Sequence, residues 1–440
     1  MSTQSESFFE KRFRLSANGT DAKTEIMAGI TTFFSLAYIL AVNPQILSET
    51  GMDSGSVFTA TILASIVATL LMAFYANYPF VLCAGMGLNA YFAYVVVIQN
   101  GHDWQFALTA VFIEGIIFLL LTFLNVREAI VNAIPMNMKN AVSVGIGLFI
   151  AFIGLKSANI IVNDDATFVK FGGFSSPEAI ACLIGLIVIA FLQIRNVKGS
   201  LLIGIIVSTI AGIPLGITKL DGLFSLPPSV MPTALAFKNV GLSNILTADM
   251  FTVVVTFLFV DLFDTIGTLV GTASKANMLD EEGKLPNVKQ ALFADAVGTT
   301  VGAMLGTSTI TTCVESASGI AEGGRTGLTS FTAAVLFAIS LFLAPLFTAI
   351  PAAATAPALI AVGLFMVENI TKIDFSDFTE ALPAFLTIIM MPLAYSIGDG
   401  LMIGIISYSV CKILAGKFKE SSIVMYILAV LFILKIIFMT

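Results

Sequence analysis

Three acidic side chains fall inside stretches that otherwise read as lipid-spanning: Asp261 and Asp264 in FLFVDLFDTIGTLV, and Glu315 in STITTCVESASGI. A carboxylate at membrane depth costs about 2.5–3.5 kcal/mol even on the lenient insertion scale, so it normally faces a cavity or an ion path. Asp261 and Asp264 are three residues apart and on a helix share one face. Two neighbouring carboxylates resist ionising together, so such a cluster can hold and release a proton, which is what coupling to protons requires. Glu315 opens a short helical stretch, where its carboxylate can cap the helix or present an acceptor to ring N–H donors. Asn89, at the matching place in the first half, offers both a donor and an acceptor. A flat heterocycle with alternating N–H and C=O edges suits that set.

The elements that must hold these residues are membrane helices. Apolar residues make up 57% of the 440 and charged residues only 11%, a composition that excludes a soluble globule of this length. About 20 helical residues cross the hydrocarbon core, and stretches that long begin near residues 24, 57, 81, 105, 140, 178, 199, 249, 290, 309, 327, 354, 379 and 399. These are fourteen segments, with a further apolar stretch at 422–439 that is a fifteenth crossing or a tail along the bundle. Threading the fourteen with the amino terminus in the cytoplasm puts 16 of the 21 Lys and Arg residues inside, Arg127, Lys275 and Lys284 among them. Only Lys156, Lys170, Lys219 and Lys238 fall outside, and Lys435 is unassigned. No cleavable leader is read at the amino terminus. Nothing remains that could form a large soluble domain, the net charge of −7 has no bearing on nucleic acid, and no nucleic-acid partner is expected.

The second half echoes the first. Pro135 followed twelve residues on by Gly147-Leu148-Phe149 matches Pro351 followed by Gly363-Leu364-Phe365, and LLIGII at 201–206 matches LMIGII at 401–406. Seven segments per half is an odd number, so the second copy enters the membrane from the opposite side. Repeats of this kind place the ligand near the midplane, where helices are interrupted. The third segment of each half is the interrupted one: an extended run from Pro79 reaches Gly85 and Gly87 before a helix starts at Leu88. The β-branched run Thr307–Cys313 reads as a strand before a helix near Val314.

Other features read as structural. Cys83, Cys182, Cys313 and Cys411 lie in apolar segments without C-x-x-C spacing, which indicates neither disulfides nor a metal site. His102, the sole histidine, sits in a short outer loop, so a proton relay rests on carboxylates. Glu114 and Asp295 read as helix-to-helix hydrogen-bonding residues, and Gly298, Gly302 and Gly306 as a close-packing stripe. Leu279–Lys284 reads as a solvated connection, and Gly323–Gly327 as a tight turn whose Arg325 closes a helix end. An aspartyl protease within the membrane is excluded because Asp399 lies in SIGDG, with Ser396 where the G-x-G-D string needs glycine.

TEIMAGITTFFSLAYILAVNP, AGMGLNAYFAY, VDLFDTIGTLVG and ESASGIAEGGRTGLTS resemble the AzgA-like purine permeases of the nucleobase–cation symporter superfamily, across nearly the whole chain. The resemblance implies an all-α polytopic membrane protein, not an enzyme, with fourteen transmembrane segments in two inverted seven-segment repeats of the UraA-like fold and short strands in segments three and ten. It implies a core domain from 1–125 and 246–350 and a gate domain from 126–245 and 351–440. It further implies import of hypoxanthine and guanine through the cytoplasmic membrane by an elevator motion, without a cofactor. It implies a proton as the coupling ion, with sodium as the alternative. Carried over by position, Asn89, Asp261, Glu315 and the backbone of Cys313 and Val314 would bind the base, and Asp264, Asp261 and Glu315 would handle the proton. GMGLNAYFAY resembles the hypoxanthine and guanine branch more than the adenine branch. The histidine that uracil transporters of this fold carry on segment eight is absent, Thr265 being the nearest candidate. An adenine permease and an anion transporter or channel of the same fold are the rival readings, and a homodimer through the gate domain is the assembly this layout allows.

Overall fold

The computed structural model describes residues 8–124, 135–219, 222–275, 278 and 285–439; Arg127 and the connection 279–284 lie outside the described residues. In chain order the first half runs α1 (Ala22–Leu36), α2 (Ile39–Ser48), α3 (Ser54–Leu71), β1 (Leu82–Ala84) and α4 (Met86–Ala90), which continues in wider π-type turns to Gln99. It goes on through α5 (Trp104–Phe123), α6 (Met136–Ser157), the hairpin β2 (Ile161–Asp164) and β3 (Phe168–Phe171), α7 (Pro177–Ile194) and α8 (Ser200–Gly212). The second half runs α9 (Ala248–Lys275), α10 (Val288–Leu305), β4 (Ile310–Thr312), α11 (Ser316–Ala321), α12 (Gly327–Ser340), α13 (Ala352–Val367), α14 (Phe378–Leu393), α15 (Ile397–Leu414) and α16 (Ile423–Met439).

Each of the fourteen expected segments starts within four residues of one of these elements. Among the described residues, eight helices are long and apolar enough to cross a membrane, the first of them α1 and α2 joined as Ala22–Ser48. The other segments are shorter apolar helices, the two strand-and-half-helix units, and α9 and α10, which carry buried acids and threonines. The β2–β3 hairpin was not expected; all four residues of β3 are exposed, so no apolar pattern announced it.

The internal repeat is visible as packing. A Cβ on Gly147 would meet the Gly363 carbonyl at 2.7 Å, and a Cβ on Gly363 would meet the Gly147 carbonyl at 2.5 Å. The two glycines matched in sequence therefore press backbone to backbone where α6 crosses α13, which only residues without a Cβ allow. Helices α6, α7, α8, α13, α14 and α15 pack chiefly with one another, as do α1, α3, α5, α10 and α12. The glycines of α10 behave as expected: a Cβ on Gly298 would meet Ala68, one on Gly302 would meet Ile310, and Gly306 ends the helix at φ +100°.

Candidate functional site

The two interrupted segments meet in the middle of the molecule as a pair of short strands. β1 and β4 run antiparallel with Leu82 opposite Thr312, Cys83 opposite Thr311 and Ala84 opposite Ile310. Bonds from Gly85 N–H to the Thr309 carbonyl (3.1 Å) and from Cys313 N–H to the Val81 carbonyl (2.9 Å) extend the ladder at both ends. Backbone at membrane depth must be paired, since each orphaned group costs several kcal/mol, and the free edges of the strands are met accordingly. Thr69 on α3 exchanges hydrogen bonds with the backbone of Leu82, and Thr299 on α10 donates to the Ile310 carbonyl at 3.0 Å. Thr69 and Thr299 belong to the second segment of each half, so the repeats solve the same problem twice.

Two helices bring acids to this crossing. α9 packs against α4, β4 and α11, and Asp264 Oδ2 lies so close to Gly85 that a Cβ there would sit 3.6 Å from it. Gly85 is thus required for close approach, since its Cβ would also meet Thr311 Cγ2 at 2.9 Å. Asp264 is half-buried and feels the charges of Glu315 and Asp295. Glu315 caps nothing: its side chain makes no bond to the start of α11, and its Oε1 instead accepts a 2.7 Å bond from the Tyr38 hydroxyl. Glu315 is half-buried and Val314 beside it is 53% exposed, the open part of an otherwise sealed crossing.

Other expected site residues are less open. Asp261 is fully buried, because one turn before Asp264 it faces the threonines of the crossing rather than the opening. The Thr265 hydroxyl lies 3.1 Å from Asp261 Oδ1, 3.0 Å from Asp295 Oδ1 and 2.7 Å from the Thr311 hydroxyl. Of the two aspartates that helical spacing puts on one face, Asp261 is fully buried and Asp264 half-buried. Asp261 instead forms a network with Asp295, joining α9 to α10 as a helix-to-helix contact. Asn89 is also fully buried, and its Oδ1 accepts from the Ser308 hydroxyl; its Nδ2 faces Met86 Sδ at 4.0 Å. The Cys313 N–H is engaged by Val81, whereas the Val314 N–H has no backbone partner among the described residues. Glu114 accepts a 2.9 Å bond from the Thr309 hydroxyl, the helix-to-strand counterpart of the role expected for it. Arg325 closes α11 as expected, donating to the carbonyls of Ile320 and Gly324 at 2.8 Å each.

Sequence reasoning missed Tyr38, Ser308 and Glu25. A tyrosine in an apolar stretch five residues before Asn43-Pro44 was the available signal for Tyr38. Glu25 was hidden within a recognised string. Its buried carboxylate accepts from the N–H groups of Arg325 (2.8 Å), Thr326 (3.2 Å) and Thr329 (3.2 Å) and from the Thr329 hydroxyl (2.6 Å). Glu25 thereby offers negative charge to the start of α12, where the helix dipole favours it. Among the described residues, no group of three or more His, Cys, Asp or Glu side chains is placed to hold a metal ion. The groups gathered at the crossing, carboxylates and hydroxyls, can hydrogen-bond a ligand.

Residues 23–403 match the model of a permease family. The chain is 51% identical to a permease of Methanocaldococcus jannaschii, covering 98% of this chain and 99% of that one. It is 43% identical to the guanine/hypoxanthine permease PbuO of Bacillus subtilis (96% and 99% covered) and 41% identical to the adenine permease AdeP of Escherichia coli (99% and 97% covered). Among solved structures, the transmembrane domain of the cyanobacterial bicarbonate transporter BicA superposes with a TM-score of 0.64 at 17% identity, covering 87% of this chain and 97% of that one, a likeness of fold.

Proposed function

This chain belongs to the permease family whose model spans residues 23–403, and we propose that within it the protein imports purine nucleobases, hypoxanthine and guanine, coupled to protons. The observation that carries this reading is the pair of half-buried carboxylates, Asp264 and Glu315, beside the opening at the β1–β4 crossing. Ionised carboxylates accept and cannot donate, so they suit a ligand edge of ring N–H groups. An anion would meet repulsion there, which disfavours the rival that the bicarbonate transporter's fold brings to mind. Family membership alone does not choose the purine, since relatives named for adenine and for guanine/hypoxanthine are similar to nearly the same degree. The choice rests on the string GMGLNAYFAY with Asn89.

In this reading Glu315 and the Val314 amide hold the base, with Cys313 shaping the strand end and Asn89 the floor. Asp264 faces the base from α9. Asp261 stands behind it, and the Thr265 network through Asp261 and Asp295 holds the proton. A carboxyl that carries a proton can donate where the ionised form can only accept, so protonation changes which ligand edge fits. That difference is the coupling. Movement follows an elevator scheme in which the core (1–125 and 246–350) slides against the gate (126–245 and 351–440), with the amino terminus on the cytoplasmic side of the cytoplasmic membrane. The gate domain is the face offered for a homodimer.

Uptake of labelled hypoxanthine into cells expressing the protein, with and without a proton uncoupler, tests this. Saturable uptake that the uncoupler abolishes and guanine competes is expected, and Glu315→Gln should abolish it at unchanged membrane abundance. Uptake that survives the uncoupler and follows a sodium gradient overturns the proton; full transport by the variant overturns the role of Glu315.

A further inference from the structure

We propose that Tyr38 is a positioning residue that fixes the Glu315 carboxylate and so sets purine affinity; the inference rests on the reading that Glu315 binds the base. Tyr38 sits at the turn between α1 and α2, is 1% exposed, and donates its hydroxyl to Glu315 Oε1 at 2.7 Å, the length of a bond from hydroxyl to charged acceptor. The geometry gives this bond a particular weight, because the Glu315 side chain takes no capping bond from α11. With Oε1 held by Tyr38, the carboxylate of the half-buried Glu315 has its second oxygen left for a ligand.

The placement of Tyr38 is built from the helix below it. A Cβ on Gly319 would meet Thr32 Oγ1 at 2.0 Å and the Ala28 carbonyl at 2.5 Å, so α11 lies directly on α1 at that point. At the far end of α1, Glu25 holds the chain that leaves α11 and enters α12 through its four bonds to Arg325, Thr326 and Thr329. α1 thus grips the α11–α12 unit at three heights: Glu25, the Gly319 contact and Tyr38. The first two fix the register along α1, and that register is what delivers Glu315 to the phenol. Tyr38 needs no contact with the ligand to matter, since an unrestrained carboxylate must be ordered afresh each time a base binds.

The test is hypoxanthine binding by calorimetry and uptake kinetics on the full-length protein, for wild type, Tyr38→Phe, Glu315→Asp and the double variant. Tyr38→Phe keeps the ring and its packing. Its Kd and KM are expected to rise about tenfold, the size expected when a hydrogen bond fixing a charged group is lost, with the maximal rate within about twofold. Glu315→Asp draws the carboxylate back from the phenol, so adding Tyr38→Phe to it should change Kd by less than about twofold. A purely structural role would instead lower the maximal rate and the folded amount at unchanged KM. An unchanged Kd in Tyr38→Phe, or fully additive losses in the double variant, overturns the inference while leaving the purine reading intact. Should Tyr38→Phe not be recovered folded, the Kd of Glu315→Asp decides: an unchanged value overturns the inference. A wild type that binds no purine overturns the purine reading and this inference with it.

Discussion

Among the described residues, Glu25, Glu114, Asp295 and Glu315 each accept from a donor on another element, while Asp261 accepts from Thr265 on its own helix, and those pairings separate their roles. Glu25 faces three backbone N–H groups and a hydroxyl, Glu114 a threonine of the strand approach, Asp261 and Asp295 the shared hydroxyl of Thr265, and Glu315 the phenol of Tyr38. Helical spacing placed Asp261 and Asp264 on one face, but spacing sets only an angle about the helix axis. What each side chain meets depends on α10 and β4, which come from elsewhere in the chain, so only Asp264 reaches the opening. Asn89 was legible as a site residue by position, whereas its bond from Ser308 was not, because that contact joins residues 219 apart. Asn89→Ala removes the acceptor for Ser308 and is expected to change the competition order of adenine, guanine and hypoxanthine for uptake at unchanged protein abundance. An unaltered order contradicts a binding role for Asn89.

At the scale of elements, glycine and threonine decide the architecture. The Gly147–Gly363 contact brings α6 and α13 together at matched positions of the two repeats, and Gly319 does the same for α11 on α1. Gly363→Ala places a methyl 2.5 Å from the Gly147 carbonyl and 2.8 Å from Ala151 Cβ. Overpacking of this kind costs typically 1–3 kcal/mol, so a lower unfolding temperature in detergent is expected, and an unchanged one contradicts the packing. Gly319→Ala is expected to weaken hypoxanthine binding as well, because displacing α11 from Thr32 carries Glu315 away from Tyr38; binding at wild-type strength contradicts that linkage. The strands at the crossing were readable because Thr307–Cys313 is β-branched and an extended run precedes Gly85. The start of α4 at Met86 rather than Leu88 was not, since Gly85 and Gly87 look like breakers in sequence while the structure uses them for close approach to Thr311 and Ile146. The β2–β3 hairpin was illegible because its exposed residues alternate against no core.

For the whole molecule, the proposed sliding of core against gate puts a demand on the few contacts that join the two groups of helices. Lys198, just before α8, pairs with Glu322 at 2.8 Å and donates to the Ser318 carbonyl at 3.2 Å, at the end of the molecule that carries the amino terminus. At the opposite end, Lys156 of α6 lies 4.9 Å from the Tyr395 ring and 5.9 Å from that of Tyr94. An exposed ion pair contributes little to stability, so the Lys198–Glu322 pair can break and re-form as the groups move. Cysteines at both positions (K198C with E322C), once joined by a short cleavable bifunctional thiol reagent that spans the ion pair's side chains, are expected to stop uptake reversibly without abolishing binding; uptake that continues under the cross-link contradicts a slide along that seam. Charge bias and repeat matching made the segment order and the inverted halves legible from composition and a few short strings. The grouping of helices into two bodies came from the family resemblance and not from periodicity, because helix-to-helix contacts leave no periodic trace in an apolar sequence.

In the proposed mechanism a purine sits against Glu315 at the β1–β4 crossing. Calorimetric titration of hypoxanthine into purified wild-type protein and into Glu315→Gln tests it most directly. Saturable binding to the wild type, lost in a variant that unfolds at the wild-type temperature, is the expected result; equal binding to both proteins, or binding to neither, contradicts it.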